Sequence, residues 1–272
     1  FKHMKQATLI ATLILIGRLV FAQAGTLDPA FADQGVSYLN FLSTDEEWMT
    51  HSVIDDQDRI WLAGQTYQDD DWRLLIARLD QNGNLDPDFS DDGYAIVNIG
   101  ANNSESVSAL SLQGSSLIVA GRTVTDGEST PFLLKYTDQG FLDTEFGELG
   151  IATAPVNMNV SDIYIDDAGH IFMSGMADEN VMVLKFLPQG GLDQSFGFFG
   201  ASLVEFPSSD VAVSIDLDDE GNIYVFGRGA LNNVLRGHIS SFLPNGAINT
   251  DFTPNGRKSI TWPDNKGFHV NG

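Results

Sequence analysis

The sequence predicts an all-β fold, a β-propeller built of four-stranded antiparallel blades, and three observations lead there. An eleven-residue motif recurs five times at nearly even spacing, short β-branched and aromatic runs fill the intervals, and helical periodicity is absent after the first two dozen residues. With 272 residues and 43% apolar content the chain can bury a sizeable core, so it reads as globular and not as disordered.

The first 24 residues have their own logic. Lys2 and Lys5 precede the apolar run Ala7 to Ile16, and Ala22-Gln23-Ala24 supplies the small-x-small pattern that signal peptidase reads. This predicts a signal peptide over 1–24 and an exported protein, extracellular, at the cell surface or periplasmic. A buried strand or a membrane anchor is the competing reading, but some ten apolar residues broken by Gly17 and Arg18 are too few to cross about 30 Å of hydrocarbon. No membrane span is expected once the segment is removed.

Residues 25–272 then form the propeller repeats. The recurring motif reads GTLDPAFADQG over 25–35, GNLDPDFSDDG over 83–93, GFLDTEFGELG over 140–150, GGLDQSFGFFG over 190–200 and GAINTDFTPNG over 246–256. Each residue type has a physical reason to be there. The bounding glycines allow positive φ at both ends of a loop. The acid position, Asp28, Asp86, Asp143, Asp193 and Asn249, can accept a hydrogen bond from the backbone two residues on, and Pro29 and Pro87 pre-set φ for a turn. The aromatic position, Phe31, Phe89, Phe146, Phe196 and Phe252, anchors a polar loop in the core. The motif is therefore expected to be a structural clamp, since a catalytic residue is not needed once per repeat.

Four strands fall between successive clamps. A hairpin runs from Ser52 to Gly64, Val107 to Gly121, Ile163 to Gly175 and Val213 to Gly227, each through a polar turn. A third run precedes the clamp, as in Arg73 to Ala77, and a fourth follows it, as in Gly93 to Val97. Each glycine reads as the end of its strand. Gly35 to Phe41 is expected to be a strand that completes a blade supplied from the other end of the chain, while Lys258 to Trp262 stops short of a further hairpin. The expected inventory is four complete blades plus a partial one, a piece of a longer, incomplete propeller.

Eight residues before the motif acid stands a base: Arg78 before Asp86, Lys135 before Asp143 and Lys185 before Asp193. In the last copy both members change, to Ser241 and Asn249. A joint loss avoids stranding one charge, so base and acid are expected to meet as a partly shielded ion pair, the competing reading being an exposed base that merely solvates its strand.

The motif from Gly140 to Gly150, together with the hairpin DDEGNIYVFG from Asp218, resembles the delta-60 repeat of bacterial exported proteins, and the resemblance covers 25–272. It departs from the pattern at Ala32, Ser90 and Thr253, which replace the glycine after Phe, and at Asn249. The resemblance implies a β-propeller behind a secretion signal, often within a larger surface or secreted protein. It implies no established activity and no catalytic residues.

Fourteen bases against 37 acids, a net charge of −23, repel phosphate backbones, so nucleic acid is excluded as a natural partner. Without cysteine there is no disulfide, thiolate metal site or cysteine nucleophile. The histidines His51, His170, His238 and His269 stand at no ligand spacing, and no inner-strand position stands out by an odd polar residue. No cofactor is expected. Asp69-Asp70-Asp71 and Asp91-Asp92 could hold surface calcium weakly, whereas Asp216-x-Asp218-x-Glu220-Gly221 ends on Gly227 where a calcium loop needs a bidentate Glu. Two functional classes follow: a non-enzymatic exported module or scaffold binding a protein or glycan, and a propeller enzyme, hydrolase, lyase or quinoprotein, with its site in the central channel.

Overall fold

The computed structural model describes residues 25–41, 46–68, 71–100, 104–205, 210–231 and 234–260. The expected signal peptide, Asp69-Asp70, His269 and the run beyond residue 260 lie outside the described residues.

Among the described residues sixteen strands form four sheets of four, each antiparallel and in chain order. The first blade is β1 (Glu46–Ile54), β2 (Ile60–Gln68), β3 (Asp71–Leu79) and β4 (Tyr94–Val97). The second is β5 (Ser104–Gln113), β6 (Ser116–Thr125), β7 (Glu128–Tyr136) and β8 (Ile151–Thr153). The third is β9 (Asn159–Ile165), β10 (Ile171–Ala177), β11 (Asn180–Phe186) and β12 (Ala201–Val204). The fourth is β13 (Asp210–Leu217), β14 (Ile223–Leu231), β15 (Val234–Phe242) and β16 (Arg257–Ile260). The first strands touch one another in the order β1, β5, β9, β13, which makes them the inner strands of the propeller.

Burial explains the sequence of each strand. The third strand lies between neighbouring blades and is apolar on both faces: Leu74, Leu75, Ile76 and Ala77 are all fully buried. The inner strand β1 alternates exposed and half-buried residues, as a strand lining a channel should. Three cores fill the gaps between blades. Trp61, Phe89, Phe132 and Tyr136 lie between the first and second, Phe146, Met173 and Phe186 between the second and third, and Phe172, Phe196 and Phe242 between the third and fourth. Each buried Phe contributes about 2–3 kcal/mol relative to exposure.

Two expectations are corrected by the coordinates. Gly35 to Phe41 is not a strand, because no described strand lies beside it to complete a ladder. Instead Leu39 and Phe41 pack on Leu75 and Ala77, covering part of the outer face of the first blade. Nor do Gly64, Gly121, Gly175 and Gly227 end their strands, for β2, β6, β10 and β14 run on past them. Each sits where the inner strand carries one extra residue: Thr50, Ser108, Ser161 and Val213 fall in the register shifts. The bulge bends the inner strand over the glycine, so a methyl at Gly64, Gly121 or Gly175 would run into the carbonyl of Trp48, Ser106 or Asn159.

Four clamps lie between the third and fourth strands of a blade and the first, 25–35, precedes β1; all ten bounding glycines have positive φ, from 64° to 94°. Phe199, directly before Gly200, also has a positive φ of 53° while 66% exposed. An exposed edge contact with Phe198, ring centroids 4.6 Å apart, is all the ring gains there, while the conformation strains the backbone by about 1 kcal/mol, which asparagine tolerates better. Phe199→Asn should therefore raise the urea midpoint by the equivalent of about 1 kcal/mol, and an unchanged or lower midpoint would contradict this account.

Candidate functional site

The clamp geometry follows from backbone pairing. The amide of Asp86 donates to the carbonyl of Arg78 at 2.9 Å, and the amide of Arg78 donates to the carbonyl of Gly93 at 3.0 Å. The same two bonds recur at Lys135, Lys185 and Ser241. The residue eight before the acid is thus its cross-strand neighbour. Arg78 Nε lies 2.7 Å from Asp86 Oδ2, Lys135 Nζ 3.3 Å from Asp143 Oδ2, and Lys185 Nζ 3.0 Å from Asp193 Oδ2. In the fourth blade Asn249 Nδ2 donates to Ser241 Oγ at 3.1 Å. The other acid oxygen accepts the amide two residues on in all five clamps, at 2.9–3.2 Å.

The clamp also joins blade to blade. The residue after each motif Phe donates its amide to the residue before the next clamp: Ala32 to Asn82, Ser90 to Gln139, Gly147 to Gln189 and Gly197 to Asn245, at 2.7–2.9 Å. A side chain at Gly83 would meet the ring of Phe31, at Gly140 that of Phe89, and at Gly190 that of Phe146. Phe89, Phe146 and Phe196 are accordingly at most 1% exposed. Phe31 and Phe252, at the two ends of the described arc, are half-buried.

The first blade carries the most elaborate version. Arg78 stacks on Trp61 and Phe89 and reaches Asp138 of the next blade, donating through Nη1 to its carbonyl at 2.5 Å and its Oδ1 at 3.0 Å. Arg59 holds the same Asp138 at 2.6 Å and Asp55 at 2.7 Å, and Trp61 Nε1 donates to Asp55 at 2.9 Å. Burial raises the Asp55 carboxyl, but the bonds from Trp61 and Arg59 outweigh it and leave its pKa lowered. Asp166 and Asp218 close the corresponding hairpin turns. Asp218 accepts the amides of Glu220 and Asn222, the Asn222 side chain and the Tyr224 hydroxyl.

Polar side chains that the sequence did not single out appear on the inner strands. At the position just after the bulge the four blades carry His51, Ala109, Asp162 and Ser214. Burial lowers the His51 pKa, opposed by its bond to the Ser108 backbone and by the Asp162 charge. Burial raises Asp162, whose carboxylate accepts the amides of Ile163 at 2.8 Å and Ile215 at 3.1 Å. At this position three of the four inner strands carry a polar side chain, and Asp162 ties the third blade to the fourth. Aligning the repeats on the mid-strand glycine would have exposed it, and the extra bulge residue is what hides the alignment. Among the described residues no group of three or more His, Asp or Glu side chains is placed to hold a metal ion.

At one end of the first blade three aromatic rings meet. Trp48 and Trp72 have centroids 5.5 Å apart, and Tyr67 and Trp72 5.1 Å. Trp48 is 60% exposed and Tyr67 38%. Below them the Gln65 amide donates to the carbonyl of Glu105, a fully buried acid pointing between the first two blades. Its Oε1 accepts the Ile99 amide at 3.2 Å, and its Oε2 has no hydrogen-bond partner among the described residues. Burial pushes its pKa up to about 7, with the Ile99 amide pulling down and Asp71 pushing further up.

Residues 58–89, from the first hairpin turn to the clamp Phe, match the family model described as "Domain of unknown function (DUF5122) beta-propeller". No curated protein matches the chain. Among solved structures it is similar to a protein of unknown function from Bacteroides caccae, with 9% identity, coverage of 79% of this chain and 87% of that one, and a TM-score of 0.41. A protein from Lactobacillus plantarum shares 13% identity over 77% of this chain and 56% of that one, with a TM-score of 0.44. Drosophila Semaphorin 1b extracellular domains 1-2 share 9% over 72% and 40%, with a TM-score of 0.35. The chain spans less than two thirds of the length of the last two. Four four-stranded antiparallel sheets chained through repeated clamps, with a β-propeller repeat signature in the first of them, make this an all-β propeller.

Proposed function

We propose that this chain is an exported, non-enzymatic β-propeller of the delta-60 repeat kind, a binding or scaffold part of a secreted or surface protein. The observation that carries this reading is how the motif residues are used. The acids of the five clamps are engaged by their own turns, and three of them by a base on the neighbouring strand, so the repeated chemistry serves to assemble blades. Export rests on residues 1–24. Expression of the whole chain in a bacterial host should deliver a product beginning at Gly25 outside the cytoplasm; an uncleaved cytoplasmic product would remove that half of the proposal.

A second reading, a propeller enzyme working in the central channel, is favoured by one observation, a His and an Asp at the same position of the inner strands β1 and β9, His51 and Asp162, with the Asp162 charge acting on the imidazole. The two readings separate on Asp162→Asn. If Asp162 only ties β9 to β13, the variant loses stability and no activity changes. An enzyme would lose turnover of its substrate at unchanged stability.

A further inference from the structure

We infer that the exposed aromatic ridge of Trp48, Tyr67 and Trp72 is a binding platform for a neutral saccharide chain, an inference that rests on the binding-module reading above and names its ligand class. The register brings the ridge together. Glu46 pairs with Tyr67 and Tyr67 with Trp72, so the three lie in one row on one face, and Trp48, two residues on from Glu46, shares that face. The matching row of the second blade holds Val124 and Ser129, so the aromatics belong to the first blade and not to the repeat. Nothing in the fold demands them there. The blade cores are filled by other residues, and Trp48 keeps 60% of its surface in water.

The spacing of the rings selects the ligand. At 5.1 and 5.5 Å, tilted by 54° and 48°, they already touch one another. A cage for an ammonium group needs walls on either side of the cation, each with its centroid within about 6 Å of it, and here no gap is left between neighbours. The rings form a ridge, on which a flat apolar ligand face can lie. The C–H face of a pyranose ring is such a surface, and its hydroxyls then need acceptors at the rim. Glu46, paired with Tyr67 in the row of the ridge, stands there as an acceptor-only carboxylate. That carboxylate and the net charge of −23 repel uronic, sulfated or sialylated chains, which leaves neutral ones.

The test is a fluorescence titration of the whole chain with neutral hexasaccharides of glucose, mannose and N-acetylglucosamine, with heparin and choline as controls. The expected result is a saturable change in tryptophan emission with at least one neutral chain, and none with the controls. Trp48→Ala should weaken that binding at least tenfold while leaving the thermal midpoint in place, because the side chain is mostly in water. Absence of saturable binding by every neutral chain, stronger binding of heparin or choline, or wild-type affinity in Trp48→Ala would each overturn the platform. Chromatography of the titrated sugars keeps the two proposals apart. Cleaved sugar would end the non-enzymatic reading while leaving the platform standing, and failure to bind intact sugar would do the reverse.

Discussion

Arg78→Met should lower the stability of the protein by about 3 kcal/mol, the cost of removing one partner of a buried ion pair. Arg78 is 1% exposed and Asp86 8%, so Asp86 would keep its charge without a counterion in a site where water cannot replace it. The loss includes the bonds to the carbonyl and carboxylate of Asp138, which tie the first blade to the second. Arg78→Lys, copying the second and third blades, should recover the pairing with Asp86 but not the reach to Asp138, and cost about 1 kcal/mol. The informative variant is the double Arg78→Ser, Asp86→Asn, which reproduces the neutral pair of the fourth blade, where Asn249 donates to Ser241. It should be more stable than Arg78→Met despite carrying an additional substitution, since neither residue is left as a buried lone charge. Urea unfolding of the set decides the matter; an Arg78→Met midpoint within 1 kcal/mol of wild type would mean that the pair is incidental to the clamp.

The second large effect is one of pH. Glu105 is fully buried between the first two blades, and its pKa rises from 4.5 to about 7. A raised carboxyl pKa means that the folded state holds its proton where the unfolded chain has released it. Stability therefore falls as pH climbs from about 4.5 through about 7, and the full cost, about 3 kcal/mol, is present above that window. Glu105→Gln keeps the shape and an oxygen for the Ile99 amide but has no proton to lose. It should match wild type at pH 4 and exceed it by about 3 kcal/mol at pH 8, read as the difference in urea midpoints across the range. A difference that stays constant from pH 4 to pH 8 would show that Glu105 does not titrate across neutrality.

These effects sit on side chains of very different legibility. The clamp was open to reading because its rules are local. A glycine at positive φ, an acid two residues before the amide it caps, and a base eight residues upstream all lie within one folded-back loop, so spacing along the chain stands directly for spacing in the structure. The count of strands between clamps was readable for the same reason, since each hairpin closes on its neighbour in sequence. The mid-strand glycines were misread as stops because glycine at a strand end and glycine under a bulge are the same letter. Only the carbonyl of the facing inner strand distinguishes them.

By itself, then, the amino-acid order determined the repeat, its four-stranded unit and the pairing of charges inside three of the five clamps. The tertiary structure alone decided what crosses from blade to blade: the clamp-to-clamp amide bonds, Asp138 shared by Arg59 and Arg78, the bond from Ile215 to Asp162 and the buried Glu105. The reason is geometric. Contacts within a hairpin depend on a register that the turn sets, whereas contacts between sheets depend on twist, bulges and stacking, which bring Arg78 to Asp138 only after both blades have formed.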